Sequence, residues 1–276
     1  MTEFIVQKDI LVATEVWPLL QRAGLTNFDA FMGLSGGRRV VHKRGRSVFR
    51  FEIGERAFYL KRNRLHPLEL LKQLSRGKLP PRGALQEWTA IQAVTGAGIS
   101  TVKPVAFGEC RFLGVETASF TVTEELYGSR PLDELILEKS EPLDSHHGKR
   151  ELIKKVANLA RCLHNAGMNH QDFYLNHFFL DEKGVLSLLD LQRVQSRERV
   201  PDRFMIKDLA QLAFSARRFP AISRSDHLRF LLAYRGEKRV SRGSRHLLSK
   251  VQRKVRRIAR HDVKLTVRRR ARGEMS

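Results

Sequence analysis

His170 and Asp172 stand two residues apart in the run His170-Gln171-Asp172-Phe173-Tyr174-Leu175-Asn176-His177, which ends five residues after the aspartate. A short apolar stretch follows, then a turn at Asp181-Glu182-Lys183-Gly184. A second stretch, Val185 to Leu189, leads to Asp190. A hairpin of this kind sets two carboxylates side by side although they are eighteen positions apart, and phosphoryl transfer requires such a pair. One accepts the proton of the attacking hydroxyl, and the other holds Mg²⁺ on the nucleotide phosphates. Asp172 is therefore the candidate base and Asp190 the candidate Mg²⁺ ligand, with His170 bracing the loop. His177 occupies the place where an asparagine would bind a second metal ion. Imidazole matches Mg²⁺ poorly, so His177 serves another role, or Asn176 substitutes for it, or one metal ion is enough.

The elements that must position these groups fall into two halves. In the first, Arg38 to Val41 and Ser47 to Ile53 read as strands around a basic turn, Lys43-Arg44-Gly45-Arg46. Ala57 to Lys61 returns as a third strand ending in lysine. Ala84, Leu85, Trp88, Ile91 and Val94 recur at helical spacing, with Gly96 and Gly98 closing the helix. Val102 to Phe107 and Ala118 to Val122 read as further strands. Lys61, ending the third strand, would reach the α- and β-phosphates, held in place by Glu87 on the next helix. Gly45, in the turn between the first two strands, could offer backbone N–H groups to the phosphates; Gly33, Gly36 and Gly37 precede the first strand. Glu124, at the connector between the halves, is placed with Lys61, Glu87 and Gly45 on the nucleotide side.

The second half is helical. Leu152, Ile153, Val156, Leu159, Ala160 and Leu163 form one apolar face, with Gly167 as a stop. Further helices are expected over about Asp202 to Ala216, Leu228 to Tyr234 and Leu247 to Ile258. The expected architecture is an α+β, bilobal, protein-kinase-like fold. Residues 1–126 form a small strand-rich nucleotide-binding lobe, and residues 127–276 a helical catalytic lobe with a basic C-terminal helix or tail.

Composition narrows the partners. The chain carries 51 Lys and Arg against 29 Asp and Glu, a formal charge of +22, which calls for an anionic partner. From Lys250 to Arg272 there are eleven cations and one acid, Asp262. Aromatic residues are scarce there, which argues against a stacking platform for single strands. Cys110 and Cys162 have neither disulfide-framework nor metal-ligand spacing, and a reducing compartment is expected. The first residues do not read as a secretion signal, and no apolar run is long enough to span a bilayer.

Residues 36 to 235 resemble the lipopolysaccharide core kinases of the Kdo/WaaP type. The resemblance is carried by Ser47 to Glu52, Ala57 to Lys61, Leu71-Lys72 through Leu79-Pro80, Gly83 to Ile91 and Pro104 to Glu109. His170 to Leu180 matches the family's H-R-D-x-Y-x-x-H-F-L-L, including the histidine at 177. Asp190-Leu191-Gln192-Arg193 looks like its D-L-H-R, and Lys207-Asp208-Leu209-Ala210 like its K-D-L-A helix. The resemblance implies ATP-dependent phosphorylation of a sugar hydroxyl, usually on an inner-core heptose, at the cytoplasmic face of the inner membrane of a Gram-negative bacterium. It also implies that Asp172 is the base and that Asp208 braces the catalytic loop. The acceptor would be a lipopolysaccharide core precursor, held with the help of the basic surface at an anionic bilayer.

Gln171 replaces the usual arginine beside the base, and only Leu191 to Pro201 separate the metal-binding aspartate from the next helix. Both features exclude a protein kinase regulated through a long activation segment. Other phosphotransferases remain as alternatives, as does a nucleic-acid-binding protein using its basic tail. An aminoglycoside kinase should line its acceptor site with acids, opposite to the bias here. A nucleic-acid binder should keep its affinity without Asp172 and show steep salt dependence.

Overall fold

The computed structural model describes residues 2–43, 45–65, 75, 83–112, 114–138 and 145–271. Arg44 of the basic turn, the segment from Leu71 to Pro80 apart from Ser75, and Arg272 of the tail lie outside them. The chain divides into two compact units: residues 1–95 with 101–127, and residues 96–100 with 128–276.

The first unit is built on a seven-stranded antiparallel sheet. Its strands are β1 (Phe4–Gln7), β2 (Ile10–Ala13), β3 (Arg38–Lys43), β4 (Arg46–Ile53), β5 (Arg56–Arg64), β6 (Pro104–Phe112) and β7 (Val115–Glu124). Their spatial order is β1-β2-β6-β7-β5-β4-β3. Strand alternation sorts side chains to two faces. Leu60 of β5 opposes Phe49 of β4 and Val122 of β7, and Val122 opposes Ala106 of β6. These four join Phe58, Phe120 and Phe31 in the unit's buried core, in which the rings of Phe31 and Phe120 stack at 4.5 Å. Two short helices, α1 (Trp17–Arg22) and α2 (Phe28–Gly33), cover that face with Leu20, Phe31 and Met32. Lys61 opposes Val48 and Thr121, and Thr121 opposes Phe107, all on the other face. Helix α3 (Gly83–Gly96) packs there, with Trp88 stacked on Phe107 at 5.5 Å and edge-on to Phe4 at 4.9 Å.

This corrects two expectations. Lys61 lies inside β5, the fifth strand, rather than at the end of a third. The pairing continues through Arg62, Asn63 and Arg64, opposite Phe120, Ser119 and Ala118. The apolar alternation stops there because Arg62 stands in for an apolar residue, its guanidinium lying 4.6 Å over the Phe49 ring. The β1–β2 hairpin went unrecognised because its two-residue loop, Lys8-Asp9, lacks the glycine or asparagine that marks such turns. Lys8 adopts the left-handed conformation itself, with φ 53°.

The second unit is mostly helical: α4 (Leu132–Leu137), α5 (His146–Asn165), α6 (Asp202–Ala216), α7 (Arg224–Arg235) and α8 (Arg242–Ala271). Helix α5 packs on α7, and α6 on α8. Ser145 caps α5 by accepting from Gly148 N–H at 2.9 Å, and Ser223 and Asp226 form a reciprocal capping box on α7. Two small sheets carry the loops: β8 (Arg130–Pro131), β10 (Phe178–Leu180) and β11 (Leu186–Leu188) in one, β9 (Met168–Asn169) and β12 (Gln195–Ser196) in the other. Between the helices lies an apolar cavity of about 380 Å³, lined by Leu132, Ile136, Leu152, Val156, Leu212 and Phe230 among others.

Helix α8 is longer than its apolar stripe. Leu247, Val251 and Val255 are buried, yet the helix runs on to Ala271. Lysine and arginine are good helix formers, so the basic run continues the helix after its packing has ended. Arg253, Arg257, Arg260, Lys264 and Arg268, at spacings of three and four, share a face opposite the buried stripe and are exposed.

Candidate functional site

In the first unit, the register that turns Lys61 toward α3 places its ammonium on the carboxylate of Glu87, which is nearly buried (side-chain exposure 7%). Glu124, at the end of β7, has its carboxylate engaged by Arg56 Nε at 2.7 Å and its N–H by Lys103 O at 3.0 Å, so neither is offered to a nucleotide. Next to it, Glu125 receives two hydrogen bonds from Arg50 (2.9 and 2.7 Å) and one from Tyr59 (2.9 Å). The Arg50 guanidinium is the main cause holding the Glu125 carboxyl below its usual range. Gly45 takes φ 77° at the tip of the β3–β4 hairpin, where a Cβ would lie 2.7 Å from Arg64 O. A glycine is therefore required there by the turn itself.

In the second unit, one face of α6 holds the loop from His170 to Leu175 by its backbone. Asp208, fully buried, accepts from the N–H groups of His170 (2.6 Å) and Gln171 (2.9 Å). Gln211 donates to Gln171 O (2.7 Å) and accepts from Phe173 N–H (3.3 Å), and Ser215 accepts from Leu175 N–H (3.1 Å). The spacing 208, 211, 215 puts all three on one helical face. Among the described non-glycine residues, only Lys8, Gln171 and Asp190 have positive φ, at 53°, 69° and 58°. Two of the three thus flank the predicted site, where such strain is commonly concentrated.

The two histidines join the aspartates. His170 Nε2 donates to Leu189 O at 2.9 Å, because a carbonyl can only accept. Burial pushes the His170 pKa below the ordinary histidine value. His177 Nδ1 likewise donates to Asp172 O at 2.7 Å, leaving Nε2 facing Asp190 Oδ2 at 3.6 Å. Leu189 N–H in turn donates to His177 O at 2.8 Å. Of the two residues weighed for a second metal position, His177 stands beside Asp190 and Asn176 is exposed on the adjoining turn. The hairpin has the expected form: Asp181 accepts from Gly184 N–H at 3.0 Å through its carbonyl and from Val185 N–H at 2.7 Å through its side chain.

Asp190 Oδ1 is buried without a hydrogen-bond partner among the described residues. A lone buried carboxylate oxygen is costly unless something cationic meets it, so the residues fit a metal ion. No group of three or more His, Cys, Asp or Glu side chains among the described residues forms a cage. A Mg²⁺ shared with phosphates does not need one, since it keeps water and phosphate oxygens as ligands.

Spacing alone assigns no role to Arg193, the last residue of the run Asp190-Leu191-Gln192-Arg193. Its Nη1 lies 2.9 and 3.0 Å from the two carboxylate oxygens of Asp172. Gln211 was not anticipated either. Only its position three residues after Asp208, on the same helix face, could have pointed to it.

The antiparallel sheet with its lysine–glutamate pair, and the helical unit with its braced aspartate loop, are the two parts of a protein-kinase-like fold. Residues 35–234 match the lipopolysaccharide kinase (Kdo/WaaP) family. The chain is 37% identical over 243 residues to the lipopolysaccharide core heptose(I) kinase WaaP of Pseudomonas aeruginosa, covering 84% of this chain and 90% of that one. It is 36% identical over 197 residues to the enzyme of the same name from Escherichia coli, covering 68% of this chain and 74% of that one. The solved structure of WaaP in complex with acyl carrier protein superposes with a TM-score of 0.71 at 30% identity, covering 92% of this chain and 98% of the other. The chain belongs to the lipopolysaccharide kinase (Kdo/WaaP) family.

The clamp from α6 carries a testable cost. Asp208→Asn turns an amide N–H₂ toward one of the two loop N–H groups, leaving a buried donor unpaired. It should destabilise the protein by about 1–3 kcal/mol. The measurement is the denaturant midpoint beside the wild type, and an unchanged midpoint would mean that the loop holds its shape without Asp208.

Proposed function

We propose that this protein transfers the γ-phosphoryl group of ATP to a heptose hydroxyl of the lipopolysaccharide inner core. The observation that carries the reading is the chain Asp172 O–His177–Asp190, in which His177 Nδ1 donates to Asp172 O and Nε2 lies 3.6 Å from Asp190 Oδ2. Relatives named for heptose(I) phosphorylation support the choice of acceptor.

In this reading Asp172 orients the acceptor hydroxyl and receives its proton. Lys61, held by Glu87, binds the α- and β-phosphates, and Gly45 offers backbone to the nucleotide. Asp190, with His177 beside it, would hold Mg²⁺, which when bound neutralises phosphate charge. His170 and Asp208 position the loop. Glu124 could contribute to a nucleotide site only through its carbonyl, since its N–H and carboxylate are engaged.

Two partners are proposed with it. The exposed basic stripe of α8 suits the cytoplasmic face of the inner membrane, whose anionic lipids attract each nearby Lys or Arg by about 1 kcal/mol. Among the described residues no helix is long and apolar enough to cross a membrane, so the contact would be peripheral. The second partner is acyl carrier protein, which the related WaaP binds in its solved complex. Protein interiors leave few voids larger than a water molecule, whereas the apolar cavity of the second unit, at about 380 Å³, has the size of a small-molecule site. It suits the acyl chain that such a carrier bears.

Mass spectrometry of core oligosaccharide from cells with and without the protein should differ by a phosphate on heptose. On the purified protein, Asp172→Asn should lower transfer by about 10²–10⁴-fold while ATP still binds. Full activity of that variant would remove Asp172 from the mechanism. Replacing Arg253, Arg257, Arg260 and Lys264 by glutamine should reduce co-sedimentation with acidic, lipopolysaccharide-containing vesicles at low salt and leave ATP affinity unchanged. Retained sedimentation, or a selective loss of duplex DNA binding instead, would count against the membrane contact. Native mass spectrometry should find the wild type bound to palmitoyl-loaded acyl carrier protein and Ala213→Phe, which fills the cavity, unbound. Equal binding by both would dissociate the carrier from the cavity.

A further inference from the structure

Arg193 meets both carboxylate oxygens of Asp172 with a single terminal nitrogen. Among the described residues, its Nε and Nη2 have no partner, so the other edge of the guanidinium is available. The pair is not sheltered: side-chain exposure is 53% for Arg193 and 24% for Asp172. Ion pairs so exposed contribute about 0–1 kcal/mol, so stability does not account for the arrangement.

The backbone beneath Arg193 is nonetheless fixed. It closes a 3-10 turn, Leu191–Arg193, with Val194 N–H donating to Leu191 O at 2.9 Å. Its carbonyl accepts from Gln171 Nε2 at 3.1 Å, and the Gln171 backbone is held by Asp208 and Gln211. The residue that replaces the expected arginine beside the base thus tethers a different arginine to it. A second cation lies close: the Lys207 pKa is lowered, first by burial and then by the charge of Arg193, while Asp172 acts on it in the opposite sense.

We propose that Arg193 is a catalytic residue, holding Asp172 through Nη1 and binding the phosphoryl group in transit through Nε and Nη2. This rests on the kinase reading above. An acceptor hydroxyl giving its proton to Asp172 must lie about 2.6–3.2 Å from that carboxylate. The phosphorus it attacks is then about 3–3.5 Å further on. A guanidinium already seated on the same carboxylate reaches that volume with its unused N–H groups. As the bond from the acceptor oxygen to phosphorus forms, the bond from phosphorus to the ADP oxygen breaks and its electron pair leaves with ADP. The hydroxyl proton passes to Asp172. The equatorial oxygens carry the charge in between, and a fixed fork of N–H donors matches them.

The test compares wild type, Arg193→Gln and Arg193→Lys as full-length protein. The acceptor is core lipopolysaccharide with unphosphorylated heptose, and ADP with aluminium fluoride and Mg²⁺ mimics the group in transit. In Arg193→Gln, kcat should fall by about 100-fold while KM for ATP and for lipopolysaccharide stays unchanged. Affinity for ADP–aluminium fluoride should fall by a similar factor, with affinity for ADP alone retained, and Arg193→Lys should recover part of both losses. An unchanged kcat, a rise only in the lipopolysaccharide KM, or an equal loss of ADP affinity would each overturn the proposal. A wild type that leaves the lipopolysaccharide unphosphorylated would refute the acceptor reading instead, and the aluminium fluoride comparison would still decide the role of Arg193.

Discussion

A buried carboxylate organises the helical unit of this molecule. Asp208 has no exposed surface and receives two consecutive loop N–H groups, with His164 Nε2 a further 3.4 Å away. An unpaired charge could not remain there, so the loop has to come to it. Once His170 and Gln171 are held, the ring of His170 reaches Leu189 O, and the residue after Leu189 is Asp190. The position of Asp190 thus follows from a carboxylate on a helix eighteen residues further along the chain. His164 is secured from behind by Tyr234 at 2.8 Å, and burial raises the Tyr234 pKa, so that hydroxyl stays protonated.

The other unit reaches its geometry by a different route. Strand alternation organises it. Because Leu60 faces the phenylalanine core, Lys61 must face the opposite side, where α3 presents Glu87. A one-residue slip in the register of β5 would bury the lysine against Phe31 and Phe120 and turn both Phe58 and Leu60 toward Glu87. The aromatic core therefore specifies the direction of a charged side chain that it does not contact.

Much of this was legible in the sequence because spacing encodes chemistry locally. The turn at Asp181 to Gly184 and the helix beginning at Asp202 are each set by residues close in sequence, and the structure has them where they were expected. The pairing of Lys61 with Glu87 was also readable, since strand order and helical spacing place both. What escaped detection depends on distant or unmarked partners. The β1–β2 hairpin turns on a lysine, and Arg193 meets Asp172 across 21 positions. The C-terminal helix outruns its apolar stripe, so periodicity recorded only the packed portion.

The hydrogen bonds made by Asp208, Gln211 and Ser215 couple the fate of the loop to that of one helix. Proteins open in contiguous cooperative segments at energies below global unfolding, and these hydrogen bonds make α6 and the loop a single such segment. Fraying of α6 would release the backbone of His170, Gln171, Phe173 and Leu175 together. Heat should then undo the loop and α6 in one step rather than residue by residue.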